Sequence, residues 1–451
     1  MEMASISQPS NGDYKKLSKR IREKRQSKSE IDPDDYQMLQ DLRMTYKEPL
    51  SVIFPCINRL AHKSDRNSVC TYRIKRIESI ISKLERKPTM QVNLMADIAG
   101  CRCIMTTMKD AMDLLERMKK YAAKPNHVFE IVKVDDYIKE PQDSGYKSIH
   151  VHIALKTMKK KVVEVQIRTL EQHNWATLVE ISDLVYNSKL KEFGDKENPD
   201  LFSFHKLLSK DDKDLTLQDK KLISRISGQF RYLEKLGKTF AENSLELRTK
   251  RNNLAAGSGG SYYLISTDSD GHPEIFRFND FCQAEEKYFE MFRDNSGNRN
   301  IVLTHFTNVS FAKISMAYSN YVMTYNATLL KVLRAIGEVA SHEYNHYAFR
   351  SFEKNYTAFW RIIQIWLDAK SDEMMQFYRD QSLVRSKKKK QEWSVFLGLN
   401  ILSVGQIIKD TQNGFNSGII YYFAKRFKSK LDRRFSEIQW VFTGSVNYNH
   451  P

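Results

Sequence analysis

Between Arg73 and Glu180 short apolar segments of strand character alternate with single charges, and this pattern constrains the fold more than any other feature of the chain. In Val162-Val-Glu-Val-Gln-Ile-Arg-Thr169 a carboxylate, Glu164, stands inside a run of β-branched residues. Burying such a group is costly unless it is paired or holds a metal. A second acid, Asp97, stands in Met95-Ala-Asp-Ile-Ala-Gly-Cys-Arg102, just ahead of another strand-like run. Each acid is followed four or five residues later by an arginine, Arg168 or Arg102. A third phrase, residues 135–150, carries Gly145, Tyr146, Lys147 and His150. Isolated acids among strands, with arginines beside them, suit a magnesium–nucleotide site, because Mg²⁺ takes one or two carboxylates together with phosphate oxygens.

The surroundings agree with that reading. A chain of 451 residues with 41% hydrophobic and 28% charged residues is long enough for two or three domains with sizeable cores. A net charge of +17 favours polyanionic partners such as nucleotides or RNA, although solvated surface lysines explain much of the excess. Five cysteines without a CxxC pair give neither a disulfide framework nor a zinc ribbon. Cys101 and Cys103 would share one face of a strand as buried thiols. The polar N-terminus lacks a signal-peptide pattern and no run of about 18 apolar residues occurs, so a cytoplasmic, non-membrane protein is expected.

Along the chain, residues 1–31 read as a basic tail. Helical spacing begins at Asp32 and recurs from Ile74 to Leu84, where Ile77, Ile80, Ile81 and Leu84 form a stripe. Strands are expected after Asp97, over Val128–Val134, Ile149–Leu155 and Val162–Ile167, with helices over Asp110–Ala122 and Glu171–Val185. A helical extension is expected over 191–256, a Gly-Ser linker over 257–260, and a small separate α/β unit over 261–337. That unit would contain a hairpin (Tyr262–Ser266 with Glu274–Phe278), a helix (Asp280–Arg293) and a strand (Ile301–His305). Residues 338–451 read as a helical region rich in lysine and aromatics. The alternation of helices and strands gives an α/β or α+β fold.

The candidate cations are Arg73, Lys75 and Lys83 around Ser79, together with Arg102 and Arg168. Arginine forks pair with phosphate oxygens and stack on purines. Gly145 permits a tight turn and Tyr146 offers a flat face to a base.

Taken together, the motifs Tyr-Arg-Ile-Lys-Arg-Ile-Glu-Ser-Ile (72–80), Asp-Ile-Ala-Gly-Cys-Arg (97–102), Ser-Gly-Tyr-Lys-Ser-Ile-His (144–150), Val-Glu-Val-Gln-Ile-Arg-Thr (163–169) and His-Asn-Trp-Ala (173–176) resemble the synthetase domain of the RelA/SpoT family, over about residues 32–190. The resemblance implies a nucleotidyltransferase-like mixed sheet flanked by helices. It also implies transfer of the β,γ-pyrophosphate of ATP to the 3′-hydroxyl of GDP or GTP, giving guanosine tetra- or pentaphosphate. By the same resemblance Asp97 and Glu164 hold Mg²⁺ and carry catalysis. Arg73, Lys75, Ser79, Lys83 and Arg102 bind ATP, and Tyr146, Lys147, His150, Gln166 and Arg168 bind the acceptor. No His-Asp cluster precedes the first motif, so a hydrolase domain is not expected. Gln142 stands where the family has lysine after proline, which opens an alternative acceptor, the 3′ end of tRNA, as in toxin-type relatives. A silent nucleotide- or RNA-binding regulator is a third reading, and a homo-oligomer is an open option. A minor signal, His342-Glu-Tyr-Asn-His346, matches the zinc-protease HExxH pattern, with two histidines on one helix face.

Overall fold

The computed structural model describes residues 9–188, 190, 194–196, 198–236, 261–267, 273–294, 301–305, 327–343 and positions 347, 350, 351, 354, 355 and 358. In chain order the elements are α1 (Asn11–Gln26), α2 (Pro33–Met44), α3 (Lys47–Ser64), β1 (Val69–Ile74), α4 (Ile77–Arg86), β2 (Ala99–Met105), α5 (Met108–Ala122), β3 (Phe129–Asp136), β4 (Ile149–Leu155), β5 (Val162–Thr169) and α6 (Leu170–Val185). After them come α7 (Pro199–Leu208), α8 (Leu217–Phe230), β6 (Tyr262–Thr267), β7 (Pro273–Phe278), α9 (Phe281–Asp294), β8 (Val302–His305) and α10 (Ala327–Glu343). Among the described residues no helix is long and apolar enough to cross a membrane.

The described residues fall into two compact units. The first takes residues from 1–141, 147–173 and 253–309; the second takes them from 142–146, 174–252 and 310–451. The first unit is built on one sheet of order β3-β4-β5-β2-β1-β8-β6-β7. Its β2–β5 pair is parallel and the other pairs are antiparallel. Alternation along the strands gives one apolar face. Cys70, Tyr72 and Ile74 of β1, Cys101, Cys103 and Met105 of β2, Val163, Val165 and Ile167 of β5, and Ile149, Val151 and Ile153 of β4 are all buried there. Helices α3 and α5 contribute Ile53, Ile57, Leu114 and Met118 to the same core. Each fully buried side chain of this kind contributes about 1.5–3 kcal/mol. Helix α5 starts on a capping box, in which Thr107 Oγ1 accepts from the Asp110 amide while the Asp110 carboxylate accepts from the Thr107 amide.

The second unit has its own core of Trp175, Leu178, Leu201, Phe204, Ile223, Ile226, Leu329 and Leu333. Within it, His205 Nε2 lies 3.0 Å from Ser182 Oγ, which lies 2.8 Å from Tyr232 Oη. Burial drives the His205 pKa down to about 3, so this imidazole is neutral and structural.

Three expectations need correcting. Residues 11–26 are not part of a tail: helix α1 opens on a Ser10/Asp13 capping box and buries Tyr14, Leu17, Ser18 and Ile21 along one stripe. The helical spacing from Ile74 hides a strand, because Val69–Ile74 is β1 and the helix starts only at Ile77. The strands after residue 260 do not form a separate unit, since β8 pairs with β1 and carries β6 and β7 into the same sheet. The hairpin, the following helix and β8 lie close to where the sequence placed them. The linker at 257–260, the turn at Asp270-Gly271 and almost all of 344–451 lie outside the described residues. Cys56, Cys70, Cys101 and Cys103 are buried free thiols, and Cys282 is exposed on α9.

Candidate active site

The opposite face of the sheet is polar, and the strand registers explain how. Arg73 of β1 pairs with Gly100 of β2, Gly100 with Glu164 of β5, and Glu164 with His152 of β4. One step along, Thr71 pairs with Arg102, Arg102 with Gln166, Gln166 with His150, and His150 with Asp135 of β3. Side chains two residues apart share a face, so these two rows place the charged and hydrogen-bonding groups of five strands side by side. Gly100 is required here, because a Cβ on it would come within 2.9 Å of the Glu164 carbonyl oxygen.

Asp97 sits immediately before β2. Its Oδ2 accepts from Lys75 Nζ at 2.9 Å and its Oδ1 from Lys83 Nζ at 2.7 Å. Lys75 follows β1 and Lys83 lies on α4, so the strand–helix junction delivers both ammonium groups to one carboxylate. Burial alone would raise the Asp97 pKa, but the two lysines outweigh it and hold the carboxyl far below its usual range. Burial in turn lowers the Lys75 pKa, and Asp97 only partly offsets this.

Glu164 is buried and sits in a chain of polar contacts. Its Oε2 is 3.3 Å from His150 Nδ1, and its Oε1 accepts from Gln166 Nε2 at 2.6 Å. Arg168 donates to Gln166 Oε1 at 2.8 Å. Burial pushes the Glu164 pKa up, but the His150 and Gln166 contacts prevail and hold it below the ordinary value, against a repulsive contribution from Asp97. The two carboxylates therefore lie within one another's field, and both are ionised at neutral pH. Such a pair fits a hard divalent cation that also draws on phosphate oxygens. Among the described residues no three His, Cys, Asp or Glu side chains converge at metal distance, so ligand oxygens or water would complete the coordination.

The remaining candidates are distributed as follows. Ser79, on the first turn of α4, is half-buried, as are Arg73 and Arg102. Lys147 is half-buried in the approach to β4. Tyr146 belongs to the second unit, where it packs on the apolar cluster. It ends a turn in which Gly145 N–H donates to the Gln142 carbonyl at 2.7 Å. Gly145 has φ +87°, and a Cβ on it would fall 2.0 Å from Ser209 Oγ. Gln142 itself is exposed.

Sequence reasoning missed the Asp135–His152 pair, with His152 Nε2 3.0 Å from Asp135 Oδ2. The signal was available, since His152 is two residues from His150 and shares its face. The HExxH stretch begins at the end of α10, where His342 and Glu343 are exposed and Glu343 Oε1 lies 3.6 Å from Lys221 Nζ. Its His346 lies outside the described residues.

A family model described as "Region found in RelA / SpoT proteins" matches residues 72–191. The GTP pyrophosphokinase YjbM of Bacillus subtilis is 35% identical over 155 residues, 32% of this chain and 71% of that protein. The GTP pyrophosphokinase YwaC of the same organism is 34% identical over 117 residues, 24% of this chain and 53% of that one. Among solved structures, small alarmone synthetase 1 of Bacillus subtilis bound to its product pppGpp aligns over 41% of this chain and 93% of that chain, with 23% identity and a TM-score of 0.30. A GTP pyrophosphokinase family protein of Streptococcus pneumoniae aligns over 40% and 89%, also with 23% identity and a TM-score of 0.30. With 71% of YjbM matched at 35% identity, and with the family model matching residues 72–191, the chain belongs to the RelA/SpoT family of pyrophosphotransferases.

Proposed function

We propose that this protein transfers the β,γ-pyrophosphate of ATP to the ribose 3′-hydroxyl of GDP or GTP, producing guanosine tetra- or pentaphosphate. The observation that carries the reading is the Asp97 carboxylate gripped by Lys75 and Lys83 just ahead of β2, the strand that pairs with the one bearing Glu164. This arrangement sets two lysine ammonium groups on one of two neighbouring ionised acids, and phosphoryl chemistry needs such charges for positioning and neutralisation.

On this reading Arg73 and Arg102 hold the adenine from its two faces. Lys75 and Lys83 turn from Asp97 to the phosphates as ATP enters, where Ser79 joins them. That exchange keeps each ammonium paired with an anion, so no charge is stranded in a half-buried site. Magnesium held by Asp97 and Glu164 would neutralise charge on the transferred group. Tyr146 stacks on the acceptor guanine, and Lys147, His150, Gln166 and Arg168 orient its ribose and phosphates. The acceptor 3′-oxygen attacks the β-phosphorus, the bond from that phosphorus to the α,β-bridging oxygen breaks, and AMP leaves with the electron pair. The hydroxyl proton passes to the Glu164 carboxylate, which His150 and Gln166 hold in place.

Purified protein, γ-labelled ATP and each of GDP, GTP and uncharged tRNA test the reading. Label on the guanosine nucleotide supports it. Label on tRNA alone moves the acceptor to the RNA 3′ end, a result that the glutamine at position 142 would then help to explain. No transfer to any acceptor, with ATP still bound, leaves a nucleotide-binding regulator.

A further inference from the structure

The first unit buries an arginine that the transfer reaction does not use. Arg43 of α2 is fully buried. Its Nε donates to the Lys75 carbonyl at 2.8 Å, an Nη donates to Gln40 Oε1, and its guanidinium carbon lies 3.8 Å above the Phe292 ring of α9. Gln40 Nε2 donates in turn to the Phe292 carbonyl at 2.8 Å. A buried guanidinium is expensive, and well-packed apolar residues often replace one without loss of stability. One of its hydrogen bonds holds the backbone of Lys75, the residue that grips Asp97.

A second contact from α9 reaches the same segment. In the ladder between β1 and β8, Thr71 and Tyr72 pair with Thr304 and Leu303, so β1 continues past the end of that ladder. There the Ile74 amide donates to the hydroxyl of Tyr288, also of α9, at 2.9 Å. Tyr288 is buried against Tyr72, with ring centroids 5.3 Å apart, and Tyr72 in turn donates to Glu285 of α9 at 3.2 Å. The Lys75 amide donates to the Ile98 carbonyl, next to Asp97, at 2.7 Å. Residues 73–75 are thus clamped by β2 on one side and by α2 and α9 on the other.

We propose that Arg43 and Tyr288 are positioning residues for the ATP side of the site, and that α9 is the brace that sets Lys75 against Asp97. This rests on the reading of Lys75 as an ATP-phosphate ligand. It gives the strands and helix beyond residue 260 a catalytic purpose, because they stiffen the strand end from which the nucleotide ligands project. Neither residue touches substrate.

The test uses the whole 451-residue chain with Tyr288→Phe, which removes one hydroxyl and keeps the ring, and Arg43→Met, which keeps apolar bulk. Binding of a non-hydrolysable ATP analogue is measured by calorimetry, beside steady-state transfer and thermal unfolding. Tyr288→Phe should weaken analogue binding and raise KM for ATP about fivefold, the loss of one net hydrogen bond. KM for the guanosine acceptor should stay within about twofold, which a general loosening of the fold would not produce. Arg43→Met should act in the same direction and on the same substrate. Unchanged analogue affinity in both variants, with the wild type binding normally, would overturn the brace while leaving the transfer reading intact. A wild type that binds no ATP analogue would overturn both.

Discussion

Gly100 lies directly beside Glu164 in the parallel β2–β5 ladder, and the space where its side chain would be is filled by the Glu164 backbone, 2.9 Å from an ideal Cβ. The glycine lets the two acid-bearing segments approach. Gly100→Ala should push β5 from β2, lower stability by about 1–3 kcal/mol and reduce transfer more than it reduces stability-limited yield. Thermal unfolding and initial rates on the same preparation separate the two effects.

Asp97→Ala removes the anion between Lys75 and Lys83 and leaves two ammonium groups facing one another. Transfer should fall by about a thousandfold or more, in line with losing a principal electrostatic group. Glu164→Gln keeps the shape and should lose activity comparably. Near-wild-type rates in both variants would remove the acids from the mechanism.

The Asp97 carboxyl has a pKa well below its unfolded value of about 3.9, so it contributes stability that is fully present above that value and is lost as pH falls through the folded pKa. Asp97→Asn should therefore be less stable than wild type at pH 7, and the gap should narrow below about pH 4. Urea unfolding of both proteins across that range checks the sign.

Gly145→Ala confronts both a φ of +87° and a clash with Ser209 Oγ. The turn that presents Tyr146 should distort, raising KM for the guanosine acceptor severalfold and leaving KM for ATP near wild type. A change in both constants together would place the turn outside acceptor recognition.

Much of the architecture can be read from local pattern. Apolar and polar residues alternate over Ile149–Ile153 and Val163–Arg168, and polar members of that alternation, His150, Glu164, Gln166 and Arg168, fall on one face as period two requires. The failures have distinct causes. Ile74 joins Ile77, Ile80, Ile81 and Leu84 at helical spacing, so the end of β1 read as helix, and neither glycine nor proline marks the change at Lys75-Arg76. In α1 the stripe of Tyr14, Leu17 and Ile21 is thin among basic residues, so the helical spacing is masked by charge. The convergence of Lys75 and Lys83 on Asp97, and the buried Arg43 behind Lys75, depend on tertiary placement that no local pattern encodes.

The pairing of β1 with β8 also has a consequence for how the chain is born. Thr304 Oγ1 donates to the Cys70 carbonyl at 2.8 Å across a sequence separation of 234 residues. At roughly 5–20 residues per second, the ribosome delivers β8 about ten to fifty seconds after β1. Throughout that interval the nascent sheet carries an open hydrogen-bonding edge along β1, and the clamp on Ile74 and Lys75 has not yet been made. A nascent chain that already displays every family motif is thus still an unfinished catalyst, with an edge free to pair with the wrong strand.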